Sequence, residues 1–466
     1  MKLFLLLLLI QTQYFVSAFD FKYISNYISK NQYPRHQESC KEKRLLILHY
    51  SEYEFEGTGS ILKWIMIGLA EALHSNRTLI WGRYIPNFFT RGVHNNCYNA
   101  TQGGLYDCLF QRLSTCSIAD IHDNELKRLG TRGFDDSARV SLSQPYRGLA
   151  LYMAPQQFRH LRGMSLIWPT AVAAFVFRPI HTLRDFPLPS SSIEEGAHPA
   201  LSRVVYCAHI RHGDIAALEE EYPNRQVYPH IDYYSALRRM STRASPGRGP
   251  DIIYLATDDI AASSIIRDWE IRWRNDTDAG TPEDTCGADA QGKSFCESNG
   301  GASPVPVFSV RHDIRRSEFG THYFAAQGGC TRDETHLRQY CKLSGVKLAQ
   351  IFKETEGHNE HEEVSRVAQE AVEDIHLLSQ CSGIVGTASS HFTTVSMLLA
   401  WARVLSKHAV GVEGHVQSIP AVPVPPDMYV FLDEDGVVSG RLESSYLIGK
   451  HDSAHLKGRA SERWAE

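Results

Sequence analysis

The alternation of short apolar runs with amphipathic helical patterns constrains the fold of this 466-residue chain more than any other feature. A buried strand is predicted over Arg44 to Leu48, and a second over Thr78 to Trp81. Between them, the turn Glu56 to Ser60 precedes an amphipathic helix over Ile61 to His74. A strand, a helix and a strand in this order predict a β-α-β unit with parallel strands.

The same alternation returns in the second half of the chain. Strands are predicted over Val204 to His209, Ile252 to Ala256 and Gly383 to Gly386. A helix from about His391 to Leu405 follows the last of them. The sequence therefore predicts an α/β protein with two parallel-sheet halves, separated by the Pro- and Ser-rich segment Phe186 to Pro199.

Two segments lie apart from these strands and helices. Asp276 to Pro306 is rich in Gly, Asp, Ser and Pro and is interpreted as part of a surface insertion over about 276–345. Ile419 to Asp427 contains four prolines, which predict an extended segment that crosses back between the halves. The predicted parts are a signal peptide (1–18), a short N-terminal segment (19–43), an N-terminal α/β half (44–198), a C-terminal Rossmann-like half (199–410) and a Pro-rich crossing and tail (411–466).

The first residues predict entry into the secretory pathway. Lys2 precedes the apolar run Phe4 to Ile10, and Val16 to Ala18 has the small residues of a cleavage site. The apolar run is shorter than the roughly 20 residues that span a bilayer, so a cleaved signal peptide is favoured over a retained anchor. Three N-x-S/T sequons agree with a lumenal route, at Asn76, Asn99 and Asn275.

Most of the ten cysteines of such a lumenal protein are expected to form disulfides. Their spacing suggests pairing within three groups, which are Cys97, Cys108 and Cys116; Cys286 and Cys296; and Cys330 and Cys341. Cys207 and Cys381 lie in apolar runs and are interpreted as buried free thiols.

Size and charge limit the class of protein. With 43% hydrophobic residues, the chain is long enough for two packed α/β halves, and a soluble globular protein is expected. Its net charge of −5 at pH 7 provides no basic excess, which argues against a nucleic acid as partner.

The predicted strand Val204 to His209 runs directly into the basic and turn residues Ile210 to Asp214. In open α/β sheets, ligands bind at the carboxyl ends of the strands. Arg211 offers a planar fork of donors that fits phosphate oxygens, so an anion site is predicted here. An arginine that caps a surface turn would produce the same local pattern.

Two further segments carry residues suited to a phosphate or a sugar. Gly57 and Gly59 would let backbone N–H groups approach a phosphate, or they serve only a tight turn. Asp258 and Asp259 end a predicted strand and would bind a sugar or order basic groups, or they cap the helix that begins near Ile260.

A last segment runs from Glu373 to Gln380 and continues, one strand later, with Gly386 to His391. Ser389 and Ser390 fall at a predicted helix N-terminus, where hydroxyls, N–H groups and the helix dipole together favour an anion. Helix capping alone would explain one of these serines.

In this order, the segments resemble the GDP-fucose-dependent fucosyltransferases, most closely the α1,6 type that modifies N-glycan cores and its bacterial nodulation relatives. The resemblance covers about Arg44 to Trp401. It rests on the Gly-x-Gly turn with Arg77 to Ile80, on His209 to Arg211, on Tyr254 to Asp259, and on Asp374 to Gln380 with Thr387 to Ser390. It implies a GT-B-like fold of two Rossmann-like halves facing a cleft, an inverting transfer and no metal requirement.

The resemblance implies a role for each matching residue. Arg211 would bind the β-phosphate of GDP and stabilise the charge of the leaving diphosphate. His209 and Asp374 would recognise guanine, whose adjacent N–H donors suit a carboxylate. Ser390 would bind the β-phosphate, with Gly57 opposite it. The complete set of implied donor-binding residues is Gly57, Gly59, His209, Arg211, Asp258, Asp259, Asp374, Ser389 and Ser390.

Glu219, eight residues after Arg211, falls on the catalytic base of the family. A base there would remove the proton from an acceptor hydroxyl as that oxygen attacks the sugar carbon. Arg211 and Glu219 are therefore the implied catalytic residues. The alternative is that Glu219 to Glu221 is an ordinary solvated run of charges.

The resemblance also implies the partners and the compartment. The donor would be GDP-fucose, without a cofactor, and the acceptor would be an N-glycan or glycoprotein held by the N-terminal half. The linkage would be α1,6 to a core GlcNAc or a similar sugar. A Golgi location follows, with secretion or an uncleaved signal anchor as alternatives. The oligomeric state is not predicted.

Two positions depart from the α1,6 pattern. The family has a second arginine where this chain has His212, and a lysine that assists the base where it has Ile215. The first change replaces a permanent charge by one that depends on pH. Protein O-fucosyltransferases share the His-x-Arg start and vary after it, so a protein hydroxyl remains an alternative acceptor.

Parts of the sequence also match proteins of other functional classes. Arg211 to Gly213 matches the start of the histidine phosphatase signature, in which His212 would be the nucleophile, with His312-Asp313 or His451-Asp452 as partners. Ile215 breaks that signature, which continues to an arginine. Asp433 to Asp435 mimics a metal-binding Asp-x-Asp motif, although a strand followed by an acidic turn explains it. A nucleotide-sugar or glycan-binding protein without transferase activity is the non-enzyme alternative.

Overall fold

A computed structural model describes part of the chain. The described residues are 20–33, 40, 43–48, 58–81, 110–116, 139–142, 151, 154–161, 164–179, 204–210, 228–244, 250–257, 262–278, 287–288, 294–295, 306–310, 370–387, 390–410, 429–431 and 438–439. The helices are α1 (Thr58–His74), α2 (Met164–Val176), α3 (His230–Ala244), α4 (Ala262–Asp278) and α5 (His391–Val410), with helical segments over 20–32 and 370–378 and a 3-10 turn over Gln156–Phe158. The strands are β1 (Leu45–Leu48), β2 (Thr78–Trp81), β3 (Arg139–Leu142), β4 (Val205–Ile210), β5 (Ile252–Thr257), β6 (Gly287–Ala288), β7 (Ser294–Phe295), β8 (Val307–Val310), β9 (Gly383–Gly386), β10 (Tyr429–Phe431) and β11 (Val438–Ser439).

The first sheet contains the predicted β-α-β unit. Its order is β2-β1-β3, and both neighbours are parallel to β1. Leu45, Leu46 and Ile47 are completely buried. A strand covered on both faces is expected to be a continuous apolar run, which is why this short strand was identifiable.

The second sheet has six strands in the order β11-β10-β9-β4-β5-β8. All of its neighbours are parallel except β11, an antiparallel edge strand. If its five parallel strands are numbered along the chain, their order is 3-2-1-4-5, the order of the doubly wound nucleotide-binding sheet. The direction of winding changes between β4 and β9.

The two faces of this sheet bury different clusters. Side chains alternate along a strand, so Cys207 and Tyr254 join one cluster while Ala208 and Leu255 join the other. The first cluster also contains residues of α1, α2, α5 and the segment 370–378. The second contains residues of α3 and α4, including Trp269. The sheet is therefore a central layer between two helical layers.

The large cluster also connects the two sheets. It includes Leu46 and Leu79 of the first sheet and Ile252 and Ile384 of the second. The α/β class is thus confirmed. In the described residues the first sheet has three strands, and the arrangement of two Rossmann-like halves around a cleft stays a prediction.

Several boundaries differ from those expected. The first helix begins at Thr58 rather than Ile61, so Gly59 lies inside its first turn. Strand Val307–Val310 belongs to the second sheet, so the insertion does not run unbroken over 276–345. Strand Tyr429–Phe431 also joins this sheet, from within the expected tail. Both strands are placed in the sheet by pairing with a strand that is distant in sequence, and local composition does not reveal such pairing.

The disulfides correct the expectation for three cysteines. Cys207 and Cys381 are buried as expected, but they form a disulfide instead of free thiols. The reason is that β4 and β9 are neighbours and Cys381 lies just before β9, which brings two residues 174 positions apart together. Cys116 pairs with Cys40, not within its own group. The other cysteines lie outside the described residues.

The N-terminal segment 1–18 also lies outside the described residues. Among the helices that the structure describes, none is long and apolar enough to cross a membrane. Two of the three sequon asparagines, Asn76 and Asn275, are described, and both are exposed.

Candidate functional site at the switch point of the second sheet

The candidate site lies where β4 and β9 end. These strands are parallel neighbours, and the chain leaves them toward opposite faces, because α3 packs on one face and α5 on the other. In open α/β sheets this arrangement leaves a crevice at the carboxyl ends of the strands, where ligands bind. Arg211 follows the last residue of β4 directly in sequence and lies outside the described residues.

His209 is the last residue but one of β4, and its side chain contacts the start of α5. Its Nδ1 lies 2.7 Å from the hydroxyl oxygen of Thr393, and the two residues are 184 positions apart. Its ring stacks on that of Phe392, with centroids 4.6 Å apart and planes inclined by 15°. The imidazole is therefore fixed in position and orientation at the switch point.

Glycine allows α5 to approach both β9 and α1. A Cβ atom on Gly386 would lie 2.4 Å from Cγ2 of Thr393, and one on Gly59 would lie 2.5 Å from the backbone nitrogen of Phe392. Both distances are far inside van der Waals contact. The structure therefore gives Gly59 a packing role between two helix starts, and its role in donor binding stays a prediction.

A second histidine connects the starts of α1 and α5. In His391, Nε2 lies 2.9 Å from the Lys63 amine and Nδ1 lies 2.9 Å from the Ser60 hydroxyl. An ammonium group can only donate, so Nε2 accepts from Lys63 and Nδ1 carries the proton that it donates to Ser60. Lys63 and His391 thus add polar groups to the switch point.

Ser390 is the N-terminal cap of α5. The backbone N–H of Thr393 donates to its hydroxyl oxygen over 3.4 Å, and the side chain is buried. The capping alternative considered for one of the two serines therefore applies to Ser390. A phosphate contact from the same hydroxyl stays a prediction, and Ser389 lies outside the described residues.

Asp374 is bonded to the sheet through a tyrosine. The hydroxyl of Tyr254 donates to its Oδ1 over 2.7 Å, and both side chains are buried. Tyr254 lies two residues before Ala256, the strand neighbour of His209. Because side chains two positions apart share a face, the Tyr254–Asp374 pair lies on the face that carries His209.

His376, in the same helical segment as Asp374, is held neutral. Burial and, to a lesser extent, the charge of Arg403 lower the pKa of His376 to about 4. Its Nδ1 accepts a hydrogen bond of 3.2 Å from Nη2 of Arg403, and its ring stacks on Phe177. Burial lowers the pKa of Arg403 to about 10, so it stays charged near neutral pH. This hydrogen bond connects the segment 370–378 to α5, which carries Arg403.

No family model and no curated protein sequence matches the chain. Among solved structures, it is similar to NodZ α-1,6-fucosyltransferase soaked with GDP-fucose, at a TM-score of 0.31 and 12% identity over 77% of this chain and 92% of that chain. NodZ α-1,6-fucosyltransferase co-crystallized with GDP gives a TM-score of 0.29 and 13% identity over the same shares. These values are too low to establish a common fold.

The described residues bring His209, Ser390 and Gly59 of the predicted donor site together at the starts of α1 and α5, while Asp374 lies on the same face of the second sheet, bonded to Tyr254 of β5. The other predicted site residues lie outside them: Gly57, Arg211, Glu219, Asp258, Asp259 and Ser389. The residues of the phosphatase and Asp-x-Asp alternatives lie outside them too. Among the described His, Cys, Asp and Glu side chains, no group of three is placed to hold a metal ion.

Sequence reasoning missed the contacts made by Lys63, Phe392 and Thr393. Lys63 did leave a signal, because it is the single charged residue in the first half of α1 and is followed and preceded by apolar residues. A buried charge on an apolar helix face needs a polar partner. The partner itself was not predictable, since His391 is 328 residues away.

Proposed function

We propose that the chain is a GDP-fucose-dependent fucosyltransferase that inverts at the anomeric carbon of fucose, with an N-glycan core GlcNAc as acceptor in α1,6 linkage. The observation that carries the proposal is the contact of His209 with Thr393 in the first turn of α5. It joins His209 to the helix that directly follows Thr387 to Ser390, and the family resemblance assigns His209 and Ser390 separately to donor binding. Their meeting point is also the place where doubly wound sheets bind nucleotides.

Base recognition is assigned to His209 and Asp374. What supports this is that both are on one face of the sheet, His209 directly and Asp374 through Tyr254. Guanine presents adjacent N–H donors on its Watson–Crick edge, and a carboxylate accepts from both. An imidazole fixed by stacking and a hydrogen bond provides a second, rigid polar group.

Diphosphate binding is assigned to the start of α5 and to Arg211. Helix N-termini favour anions through their unbonded N–H groups and the helix dipole. Arg211 follows Ile210, the last residue of β4, whose neighbour β9 leads into α5. A guanidinium there would stabilise the negative charge that builds on the diphosphate as it departs.

The transfer itself is assigned to Glu219 as base. Its carboxylate takes the proton of the acceptor hydroxyl while that oxygen bonds to the anomeric carbon of fucose, and the bond to GDP breaks on the opposite face. GDP leaves with the electron pair. The proposed reaction needs no metal or other cofactor, and the proposed location is the Golgi lumen, reached through the signal peptide 1–18.

Two substitutions test these assignments. Arg211→Ala is expected to abolish transfer with the fold preserved, as judged by circular dichroism, while Arg239→Ala on the exposed surface of α3 leaves it unchanged. Glu219→Gln is expected to lower kcat by about 100-fold or more with GDP binding retained. Glu220→Gln and Glu221→Gln, in the same run of charges, serve as its matched controls.

The outcomes separate the alternatives. An active, folded Arg211→Ala variant contradicts the diphosphate assignment. Equal loss of GDP binding and transfer in Glu219→Gln makes Glu219 a binding residue. Phosphomonoester hydrolysis that is abolished by His212→Ala would indicate the phosphatase instead, and transfer to a protein but not to a glycan would indicate the O-fucosyltransferase type.

A further inference from the structure

A buried tyrosine and a buried carboxylate meet on the inner face of the second sheet. Tyr254 is 0% exposed and Asp374 is 6% exposed, and the tyrosine hydroxyl donates to Oδ1 over 2.7 Å. The residues are 120 positions apart, so only the tertiary fold brings them together. A carboxylate in such surroundings is stable only when hydrogen-bonded, and this bond fixes its plane relative to β5.

The carboxylate is anchored to the sheet a second time. Tyr254 pairs in the sheet with Cys207, and Cys207 forms a disulfide with Cys381. Cys381 closes the helical segment that carries Asp374, through a hydrogen bond from its N–H to the carbonyl of Leu378. The segment is therefore tied to the two central strands at its end and, through Tyr254, at its middle.

A fixed carboxylate distinguishes between purine bases. Guanine offers two adjacent donors, N1–H and the 2-amino group, whereas hypoxanthine offers only N1–H and adenine has an acceptor at N1. A site built to accept two hydrogen bonds rejects a base that lacks one donor, because a buried acceptor is then left unpaired. This discrimination requires that the plane of the carboxylate be held in place.

We propose that Tyr254 is a positioning residue that determines base specificity, because its hydroxyl holds Asp374 in the plane needed to accept both donors of a guanine nucleotide. The inference rests on the proposed function, which supplies GDP as the leaving group. It adds a residue whose contact with the base is only indirect. Tyr254 is buried in the sheet, where its sequence neighbours alone would suggest a purely structural role.

Titration of GDP, IDP and ADP into the full-length wild-type protein and Tyr254→Phe tests the inference. The wild type is expected to bind GDP more tightly than IDP, and ADP least. Tyr254→Phe is expected to weaken GDP binding by about tenfold and to bring the ratio of GDP to IDP affinity close to one. Tyr206→Phe, a buried tyrosine on the opposite face of β4, is the matched control and is expected to keep the wild-type ratio.

A double substitution tests whether the effect of Tyr254→Phe acts through Asp374, and circular dichroism of each variant checks that it is folded. Asp374→Asn removes the charge that the tyrosine supports, so adding Tyr254→Phe to it should change the GDP to IDP ratio no further. The inference is overturned if Tyr254→Phe lowers both affinities equally, or if it changes the ratio in the Asp374→Asn background. A wild-type protein that binds none of the three nucleotides overturns the proposed function as well.

Discussion

The amine of Lys63 lies 2.9 Å from Nε2 of His391, and this contact joins the second turn of α1 to the first residue of α5. The lysine side chain is buried, and the other ring nitrogen of His391 bonds to Ser60. The imidazole is thus neutral with its proton on Nδ1, because Nε2 must accept from the ammonium. Two helices from distant parts of the chain therefore meet through a chain of hydrogen bonds beside the switch point.

This contact is expected to contribute measurable coupling to stability. Lys63→Met and His391→Ala should each lower the free energy of unfolding, and the double variant should lose about 1 kcal/mol less than the sum of the two. Urea denaturation of the four proteins measures the coupling. In a control cycle, Ser235→Ala on α3 replaces His391→Ala, and it should show no coupling to Lys63→Met. If the effects of Lys63→Met and His391→Ala are additive, the contact between the two side chains is contradicted.

Alanine substitutions at Gly386 and Gly59 should respond differently to a second substitution, Thr393→Ala. Gly386→Ala should cost about 1–3 kcal/mol in stability, because its Cβ meets the side chain of Thr393. In a Thr393→Ala background that cost should shrink. Gly59→Ala should be equally costly in both backgrounds, since its Cβ meets the backbone of Phe392. Unfolding free energies of the five variants decide, and rescue of both glycines would contradict this packing.

The disulfide between Cys207 and Cys381 predicts a specific peptide map. Digestion without reduction should yield one peptide pair joining these residues and another joining Cys40 to Cys116. Cys207→Ala should lower stability by about 2–5 kcal/mol, because the bond closes a loop of 174 residues. A thiol titration that finds Cys207 free in the native protein would contradict the pairing.

His376 predicts that stability falls in mild acid. Its pKa is lowered to about 4 in the fold, so the unfolded chain binds a proton that the folded protein rejects. The stabilisation is present above the unfolded pKa and is lost as the pH falls toward about 4. Between pH 7 and pH 5 the loss should be about 2 kcal/mol.

The measurement is urea denaturation at both pH values for the wild type and His376→Gln. The change in unfolding free energy between the two pH values is compared for the two proteins, and the difference between them is the contribution of His376 alone. If His376→Gln loses as much stability in acid as the wild type, the imidazole titrates normally and the account of the His376–Arg403 pair is wrong.

The α/β class and the positions of the main strands could be predicted from the sequence. Strands such as Ile252–Thr257 are buried on both faces, so they stand out as continuous apolar runs. Helix periodicity identified α1 and α5 in the same way. Apolar runs and helical periodicity are local patterns, so each can be recognised from a short stretch of the sequence.

Features that depend on strand order could not be predicted. The Cys207–Cys381 bond follows from the adjacency of β4 and β9, and the contact of Tyr254 with Asp374 follows from the packing of a helix over β5. The sequence predicted an anion ligand at Ser389 and Ser390, with helix capping as the explanation for one of the two serines. The position of Ser390 at the start of α5 shows the cap, and the anion is left to experiment.

A transfer assay tests the proposed fucosyltransferase activity most directly. The purified protein is given GDP-fucose and a complex-type N-glycan without core fucose, with EDTA present, and both GDP release and the glycan mass are followed. We expect GDP to be released and fucose to be added to the core GlcNAc in equal amounts, undiminished by EDTA. A folded protein that adds no fucose to this glycan would contradict the proposed transfer, and one that also binds no GDP would contradict the nucleotide site.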